Sequence, residues 1–433
     1  MKYAFYTLGC KVNQYETQAM QQMLLERGDT LGEFDGICDC YIVNTCTVTA
    51  VSDKKSRNAI RRARKLNPNA VIGVCGCYAQ TAPEEIRKLD VDVLIGTDGR
   101  AEFLDHMAQA AREKLRWERV EDAGLPRTFE QLPAGGLAER TRALLKVEDG
   151  CNNFCTYCII PYARGRVRSL PLEAAVEQAQ TLAREGYREM VVNGIEISSW
   201  GWEWHDGSCL RQLLAALCAA VPEMRIRLGS LEPRTIDEDF CRELSGFPNL
   251  CPQFHLSLQS GSDTVLKRMH RKYDAARYYE SVRLLNAYFP GCAVTTDLIV
   301  GFPGETEEEF EESLTFIRKC GLSKVHIFPY SRRAGTPAAK MPEQVPKAVK
   351  EERASRAAAV AAELEDSFHT ALIGTVQEVL FEQPEQGYFA GHAPNYVKVY
   401  AEGEGLRNQV RCVRITDLCR EGVFGVIEPP ESK

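Results

Sequence analysis

Short apolar runs alternate with segments of helical period through the first hundred residues. YAFYTLG, CYIVNT, AVIGVCG and VDVLIG are rich in β-branched and aromatic residues, and helix-period segments lie near 14–27, 51–66 and 83–89. Strands that alternate strictly with helices predict parallel pairing through crossovers, a doubly wound α/β sheet over residues 1–100. Residues 101–142 begin as a charged helix former and turn polar around Pro126, Pro133 and Gly135-Gly136, the pattern of a helical linker. From about residue 144 the alternation resumes with LLKVED, EMVVNGIEI, MRIRLGS, QFHLSLQ, AVTTDLIV and KVHIFPYS. Six strand–helix units predict a partial (β/α)6 barrel over 143–366, ending in a charged helix near 343–366. The remainder, 367–433, changes to IGTVQEVLF, GYFAGHA, YVKVYAE, QVRCVRITD and GVFGVIE, short alternating strands with glycine turns that predict a small β-barrel.

Composition narrows the chemistry. A chain of 433 residues exceeds one ordinary core, in line with three domains. No run approaches the roughly eighteen uninterrupted apolar residues of a membrane span, and MKYAFYTLGC leads into a strand pattern instead of a signal peptide, so a cytoplasmic, membrane-free protein is expected. Its 17 cysteines are odd in number and lack a secretory context, which favours metal ligation over a disulfide framework. A net charge of -7 argues against indiscriminate nucleic-acid binding but leaves room for local basic patches.

The strongest chemical signal is Cys151-Asn-Asn-Phe-Cys155-Thr-Tyr-Cys158, a CxxxCxxC run directly after the first strand of the expected barrel. Three thiolates can hold three irons of a [4Fe-4S] cubane and leave the fourth iron open to another ligand. A closed zinc site wants four ligands, and no fourth Cys or His lies nearby. Barrel active sites lie at the carboxyl ends of strands, where this loop is expected. A second group is spread along the chain: Cys10 follows YAFYTLG, Cys46 follows YIVNT, and Cys77 follows AVIGVCG. Carboxyl ends of parallel strands face one crevice, so these thiols can converge there as a second three-cysteine cluster site. Taken singly, each is an ordinary small buried residue. Cys75 stands within reach of the same place, and spacing alone does not separate it from Cys77.

TLGCKVNQYE (7–16), NTCTVT (44–49), GCYAQ (76–80) and DGCNNFCTYCIIPYARG (149–165) resemble the radical S-adenosylmethionine (SAM) methylthiotransferases, as do SLEPRTI (230–236), HLSLQSGSDTVLKRMHR (255–271), TTDLIVGFPGETEEEF (295–310) and HIFPYSRRAGTPAAKM (326–341). The resemblance covers nearly the whole chain, and the terminal barrel resembles the RNA-holding TRAM module. It implies two [4Fe-4S] clusters, one on Cys151, Cys155 and Cys158 that cleaves SAM to a deoxyadenosyl radical, the other on Cys10, Cys46 and Cys77, which places the third ligand at Cys77. It also implies methylthio insertion at C2 of an adenine in tRNA, a carbon with no acidic proton, and an electron donor such as a flavodoxin or ferredoxin. CKVN, KKSRNAIRRARK, GCYAQTAPEEI and IIPYARG look most like the branch acting on N6-threonylcarbamoyladenosine beside the anticodon. Relatives that modify isopentenyladenosine or a ribosomal-protein aspartate are the alternatives within the family. A non-catalytic iron–sulfur RNA-binding protein is the alternative of another class.

Other residues carry weaker signals. Gly194 and Glu196 of NGIE sit where the superfamily has a motif for the methionine amino group, and Gln259, Ser260 and Gly301 lie near strand ends that would shape the SAM site. Gly301-Phe-Pro-Gly304-Glu305 is either an exposed-backbone approach to adenine or a tight turn before a helix. Arg57, Arg61 and Arg64 share one face of a helix with almost no acidic residue of its own, a candidate phosphate contact. Arg164, Arg166 and Arg168, and Arg407, Arg411 and Arg414, form two further candidate patches. A monomer is expected.

Overall fold

A computed structural model describes residues 1–135, 141–419 and 421–429. Gly136 of the expected linker, residue 420 and the last four residues of the expected terminal barrel lie outside the described residues. The N-terminal sheet contains β1 (Lys2–Thr7), β2 (Thr30–Gly32), β3 (Cys40–Thr45), β4 (Val71–Gly76), β5 (Val93–Ile95) and β6 (Trp117–Arg119) in the order β2-β1-β3-β4-β5-β6. All neighbours run parallel. Helices α1 (Lys11–Glu26) and α2 (Ala50–Leu66) are the crossovers after β1 and β3, and a third helix, α3 (Cys77–Thr81), follows β4 without a spacer. The sheet extends beyond VDVLIG: a helix at Arg100–Glu113 and the three-residue β6 add a sixth strand within the stretch read as linker. At three residues, β6 is too short to show a two-residue period.

The central domain has β7 (Arg142–Lys146), β8 (Glu148–Asp149), β9 (Arg168–Ser169), β10 (Glu189–Asn193), β11 (Arg225–Leu228), β12 (Ser230–Leu231), β13 (Gln253–Leu256), β14 (Ala293–Val300) and β15 (Lys324–Pro329). Two parallel sheets, β11-β10-β7 and β12-β13-β14-β15, form the open barrel wall, while β8 and β9 pair separately. Each of the six expected strands is present, and β9 and β12 are additional short ones. Phe254, Leu256, Val294, Leu298 and Val300 are packed into one large apolar core with Tyr278, Leu285 and Phe316. A helix at Lys347–Leu372 leads into a closed barrel of β16 (Val376–Glu385), β17 (Tyr388–His392), β18 (Lys398–Ala401), β19 (Val410–Cys419) and β20 (Gly422–Ile427). Closure leaves this small sheet no free edge. No helix among the described residues is long and apolar enough to cross a membrane.

Candidate active site

The three N-terminal cysteines meet because three strands end side by side. Cys10 caps α1 in extended conformation, Cys46 follows β3, and Cys77 opens α3. Gly9 (φ +113°) lies against Cys46, so that a Cβ there would stand 3.2 Å from its Sγ. Gly76 (φ +96°) lies against the Cys46 loop, where a Cβ would stand 2.5 Å from the Thr45 carbonyl oxygen. Asn13 ties the loops together. Its Nδ2 donates to the carbonyls of Leu8 (2.8 Å) and Thr45 (2.9 Å), while its Oδ1 accepts from the Arg164 guanidinium (2.8 Å) and faces Cys10 Sγ at 3.7 Å. Arg164 Nε also donates to Cys77 Sγ at 3.4 Å. Burial pushes the Cys77 thiol up to about 12, with Cys10 and Cys46 adding to the rise and Arg164 opposing it. Cys75 faces the other side of the sheet, buried among Phe103, Leu104 and Met107, so that Cys77 and not Cys75 joins Cys10 and Cys46. Cys38, Cys40 and Cys292 are core residues.

In the CxxxCxxC loop every sulfur accepts a hydrogen bond. Cys151 Sγ accepts from the Asn153 amide at 3.5 Å, Cys158 Sγ from the Ile160 amide at 3.4 Å, and Cys155 Sγ from Arg271 Nη1 at 3.1 Å. Burial raises the Cys151 thiol and takes Cys158 to about 12. Donors aimed at sulfur favour thiolates and the negative charge of a thiolate-bound cluster. No three His, Cys, Asp or Glu side chains among the described residues close on a single metal ion. The cubane spreads its irons over separate corners, and three sulfurs in a pocket of N–H donors fit that group.

The two cysteine groups adjoin. The short helix at Ile160–Arg164, directly after Cys158, lies against α3, and Thr97 Oγ1 donates to the Ala163 carbonyl at 2.8 Å. Beneath them runs a buried ion network in which Glu16 of α1 meets Arg100, Lys146 and Arg164, while Asp149 meets Lys146, Arg164 and Arg168. Burial would raise the Glu16 carboxyl, but Arg100, Arg164 and Lys146 overcome it and hold the group at about 2.

The remaining expected residues divide. Glu196 stands beside the loop: its carboxylate accepts from Asn153 Nδ2 at 3.3 Å, and burial raises it to about 7. Gly194 is pressed against Glu148, whose carboxylate accepts from the Glu196 amide at 2.6 Å. Gln259 holds a left-handed backbone (φ +68°) between β13 and β14, with its amide on the Asp297 carbonyl and its carbonyl on the Ile299 amide. Ser260 is buried against Ser313 at 3.2 Å. Gly301 is a tight turn (φ +69°) covered by Lys350, its amide bonded to Glu305 at 2.8 Å, so its backbone is not exposed for adenine. The same turn seats Phe302 against Tyr157 of the cysteine loop.

The arginine patches need correction. Arg57 bonds the Tyr78 hydroxyl and Glu85, Arg64 pairs with Asp90 and Asp92, and Arg62 pairs with Asp35. The acidic partners come from other elements, which the composition of the helix alone conceals. Arg61 stays exposed. Arg164 and Arg168 are buried in the ion network and form no surface patch, whereas Arg166 is exposed with its guanidinium over the Phe154 ring. Asn13, Glu16, Asp149 and Arg271 were not singled out in the sequence. Their only sequence signal is their place inside the CKVNQYE, EDGC and MHR strings.

An open α/β barrel with a three-cysteine loop at its first strand defines the class, a radical SAM enzyme. The Radical SAM superfamily matches residues 145–317, with its [4Fe-4S] cluster and SAM, and Uncharacterized protein family UPF0004 matches residues 2–96. The threonylcarbamoyladenosine tRNA methylthiotransferase MtaB of Bacillus subtilis (strain 168) is 43% identical over 92% of this chain and 90% of its own. The tRNA-2-methylthio-N(6)-dimethylallyladenosine synthase of Porphyromonas gingivalis (strain ATCC BAA-308 / W83) is 32% identical over 99% of this chain and 95% of its own. In fold, the chain resembles the radical SAM methyltransferase TsrM from Kitasatospora setae with a TM-score of 0.57, at 15% identity, over 78% of this chain and 76% of that one. The chain belongs to the radical SAM methylthiotransferase family.

Proposed function

We propose that this enzyme converts N6-threonylcarbamoyladenosine of tRNA into its 2-methylthio derivative. Cys151, Cys155 and Cys158 hold one [4Fe-4S] cluster, Cys10, Cys46 and Cys77 a second, and each leaves one iron without a protein ligand. When bound, the clusters and SAM supply one-electron chemistry, a sulfur and a methyl group. The protein's own part is positional and electrostatic. Arg271 and Arg164 place guanidinium charge against Cys155 and Cys77. Asn153 bridges the cysteine loop to Glu196, which with Gly194 lines the amino-acid end of the SAM site. Gln259 acts near it through the left-handed backbone that binds the Asp297 carbonyl and the Ile299 amide of β14.

The observation that carries this reading is the meeting of two three-cysteine groups, each with a hydrogen-bonded arginine, across the contact of α3 with the Ile160–Arg164 helix. Domain limits follow the chemistry: residues 1–100 with the added strand β6 hold the second cluster, residues 101–142 connect, residues 143–366 hold SAM, and residues 367–433 grip RNA in the manner of a TRAM module. Of Arg57, Arg61 and Arg64 on α2, the exposed Arg61 alone faces the tRNA backbone, since Arg57 and Arg64 are held by acidic residues of other segments. The enzyme works in the cytoplasm as a monomer with a flavodoxin or ferredoxin as reductant.

The test is mass spectrometry of nucleosides from tRNA incubated anaerobically with reduced, reconstituted enzyme and SAM. A methylthio derivative of threonylcarbamoyladenosine is expected. A methylthio derivative of an isopentenyl nucleoside alone, or no methylthio nucleoside while deoxyadenosine accumulates, contradicts the substrate.

A further inference from the structure

The loop that carries Cys151, Cys155 and Cys158 changes direction at Phe154, which holds a left-handed backbone (φ +48°). Asn153 sends its amide to Glu196, just past β10, whereas the next side chain, Phe154, joins a group of exposed residues. Tyr162 of the Ile160–Arg164 helix, 45% exposed, stands edge-on to the Phe154 ring with centroids 5.6 Å apart. The exposed Arg166 guanidinium lies 4.7 Å from the centroid of the same ring. The Phe154 carbonyl oxygen is 3.4 Å from His270 Nδ1, and Lys272 Nζ donates to His270 Nε2 at 3.0 Å, both side chains being exposed. Between them in sequence, Arg271 turns the other way, onto Cys155 Sγ. No carboxylate among the described residues pairs with Arg166 or Lys272.

Aromatic side chains and an arginine at the centre, with cations at the rim, make up a surface that docks another macromolecule. Redox encounters need only a small one. The place of this patch says what docks there. Electron transfer weakens steeply with distance, so a protein that feeds a buried cluster has to dock where the ligands lie nearest the surface. Phe154 is bonded in sequence to Cys155, and Cys151 and Cys158 are only half-buried. The reacting base, by contrast, has to reach the side on which SAM is held, the side of Asn153 and Glu196. We infer that Phe154, Tyr162, Arg166 and Lys272 form the docking surface of the reductant, a one-electron carrier protein with acidic residues around its redox centre. One electron leaves the reduced carrier and enters the cluster on Cys151, Cys155 and Cys158, and no atom or proton is exchanged. The inference rests on the cluster and reductant reading given above.

The experiment titrates the anaerobically reconstituted holoenzyme with a flavodoxin and, in parallel, with a ferredoxin. Calorimetry reads the dissociation constant, and stopped-flow absorbance reads reduction of the cluster. Arg166→Glu combined with Lys272→Glu is expected to weaken carrier binding on the order of tenfold and to flatten its salt dependence. Tyr162→Ala weakens it by a similar factor and keeps the salt dependence, because an aromatic anchor and no charge is lost. Reduction by the carrier slows in step, while reduction by photoreduced deazaflavin, a small molecule that needs no docking surface, keeps the wild-type rate. Iron content is measured alongside, and the neutral pair Arg166→Gln and Lys272→Gln replaces the charge reversal should cluster loading fall. Unchanged carrier affinity in all of these variants overturns the inference, whatever happens to the rates. A loss of tRNA affinity with carrier binding intact also overturns it and makes the patch an RNA contact. A wild-type enzyme that deazaflavin reduces but neither carrier binds or reduces refutes the reductant reading itself.

Discussion

Arg271 and Arg164 stand in similar relations to the two cysteine groups, a half-buried and a buried guanidinium, each with one N–H directed at a cysteine sulfur, 3.1 Å from Cys155 and 3.4 Å from Cys77. A cation in low dielectric beside a cluster makes the added electron more favourable. Replacing Arg271 by Met is therefore expected to move the midpoint potential of the C-terminal cluster to more negative values, read by a redox titration followed by electron paramagnetic resonance. A potential unchanged from wild type would contradict that role. The cysteines themselves were legible, since CxxxCxxC is local and the other group falls at three successive strand ends. Their arginine partners were not. Arg164 lies 87 residues from Cys77, and Arg271 lies 116 from Cys155, so only the folded chain pairs them.

At the scale of elements, the decisive features are strand ends and the glycines beside them. Gly76 ends β4 with φ +96°, and a Cβ there would press on Thr45 and Asn44 of the neighbouring strand. Gly76→Ala forces a backbone that L-residues avoid and pushes the Cys77 loop off the Cys46 loop, at a cost of about 1–3 kcal/mol. The expected result is a lower melting temperature with loss of iron from the N-terminal site, while the C-terminal cluster keeps its spectrum. Hydropathy period located every long strand of the two α/β domains and all five strands of the terminal barrel, because buried parallel strands are continuous apolar runs and small-barrel strands alternate. It missed β2, β6, β9 and β12, which at two or three residues are too short to carry a period. It also overstated α2 as an RNA-facing surface. A helix wheel shows which residues share a face but not that Glu85, Asp90 and Asp92 arrive from other segments to pair with Arg57 and Arg64.

Across the whole molecule, the N-terminal and central domains are joined by charge as well as apolar contact. Glu16 of the first, itself paired with Arg100, meets Lys146 and Arg164 of the second, which share Asp149 with Arg168, all of them buried. Such a network is weak evidence for stability in itself, yet removal of one member leaves an uncompensated buried charge, and its geometry fixes how the domains meet. Because the Glu16 carboxyl is held at about 2, its share of that fixation is complete above the ordinary carboxylate range and is lost only as pH falls toward 2. The sequence announced the order of the folds and the candidate cysteines, but not this ion network, in which Arg164 and Glu16 lie 148 residues apart.

The interface sets the two groups of cysteines face to face, and the central claim is that each is a cluster site of its own. Iron and sulfide analysis of anaerobically reconstituted protein tests it most directly, on the wild type and on two triple variants, Cys10, Cys46 and Cys77 to Ala, and Cys151, Cys155 and Cys158 to Ala. Two sites predict about eight irons per wild-type chain and about four in either variant, each with the spectrum of the cluster that remains. A first variant with the wild-type iron content, or a wild type with about four irons, would leave the N-terminal cysteines without a cluster and contradict the account.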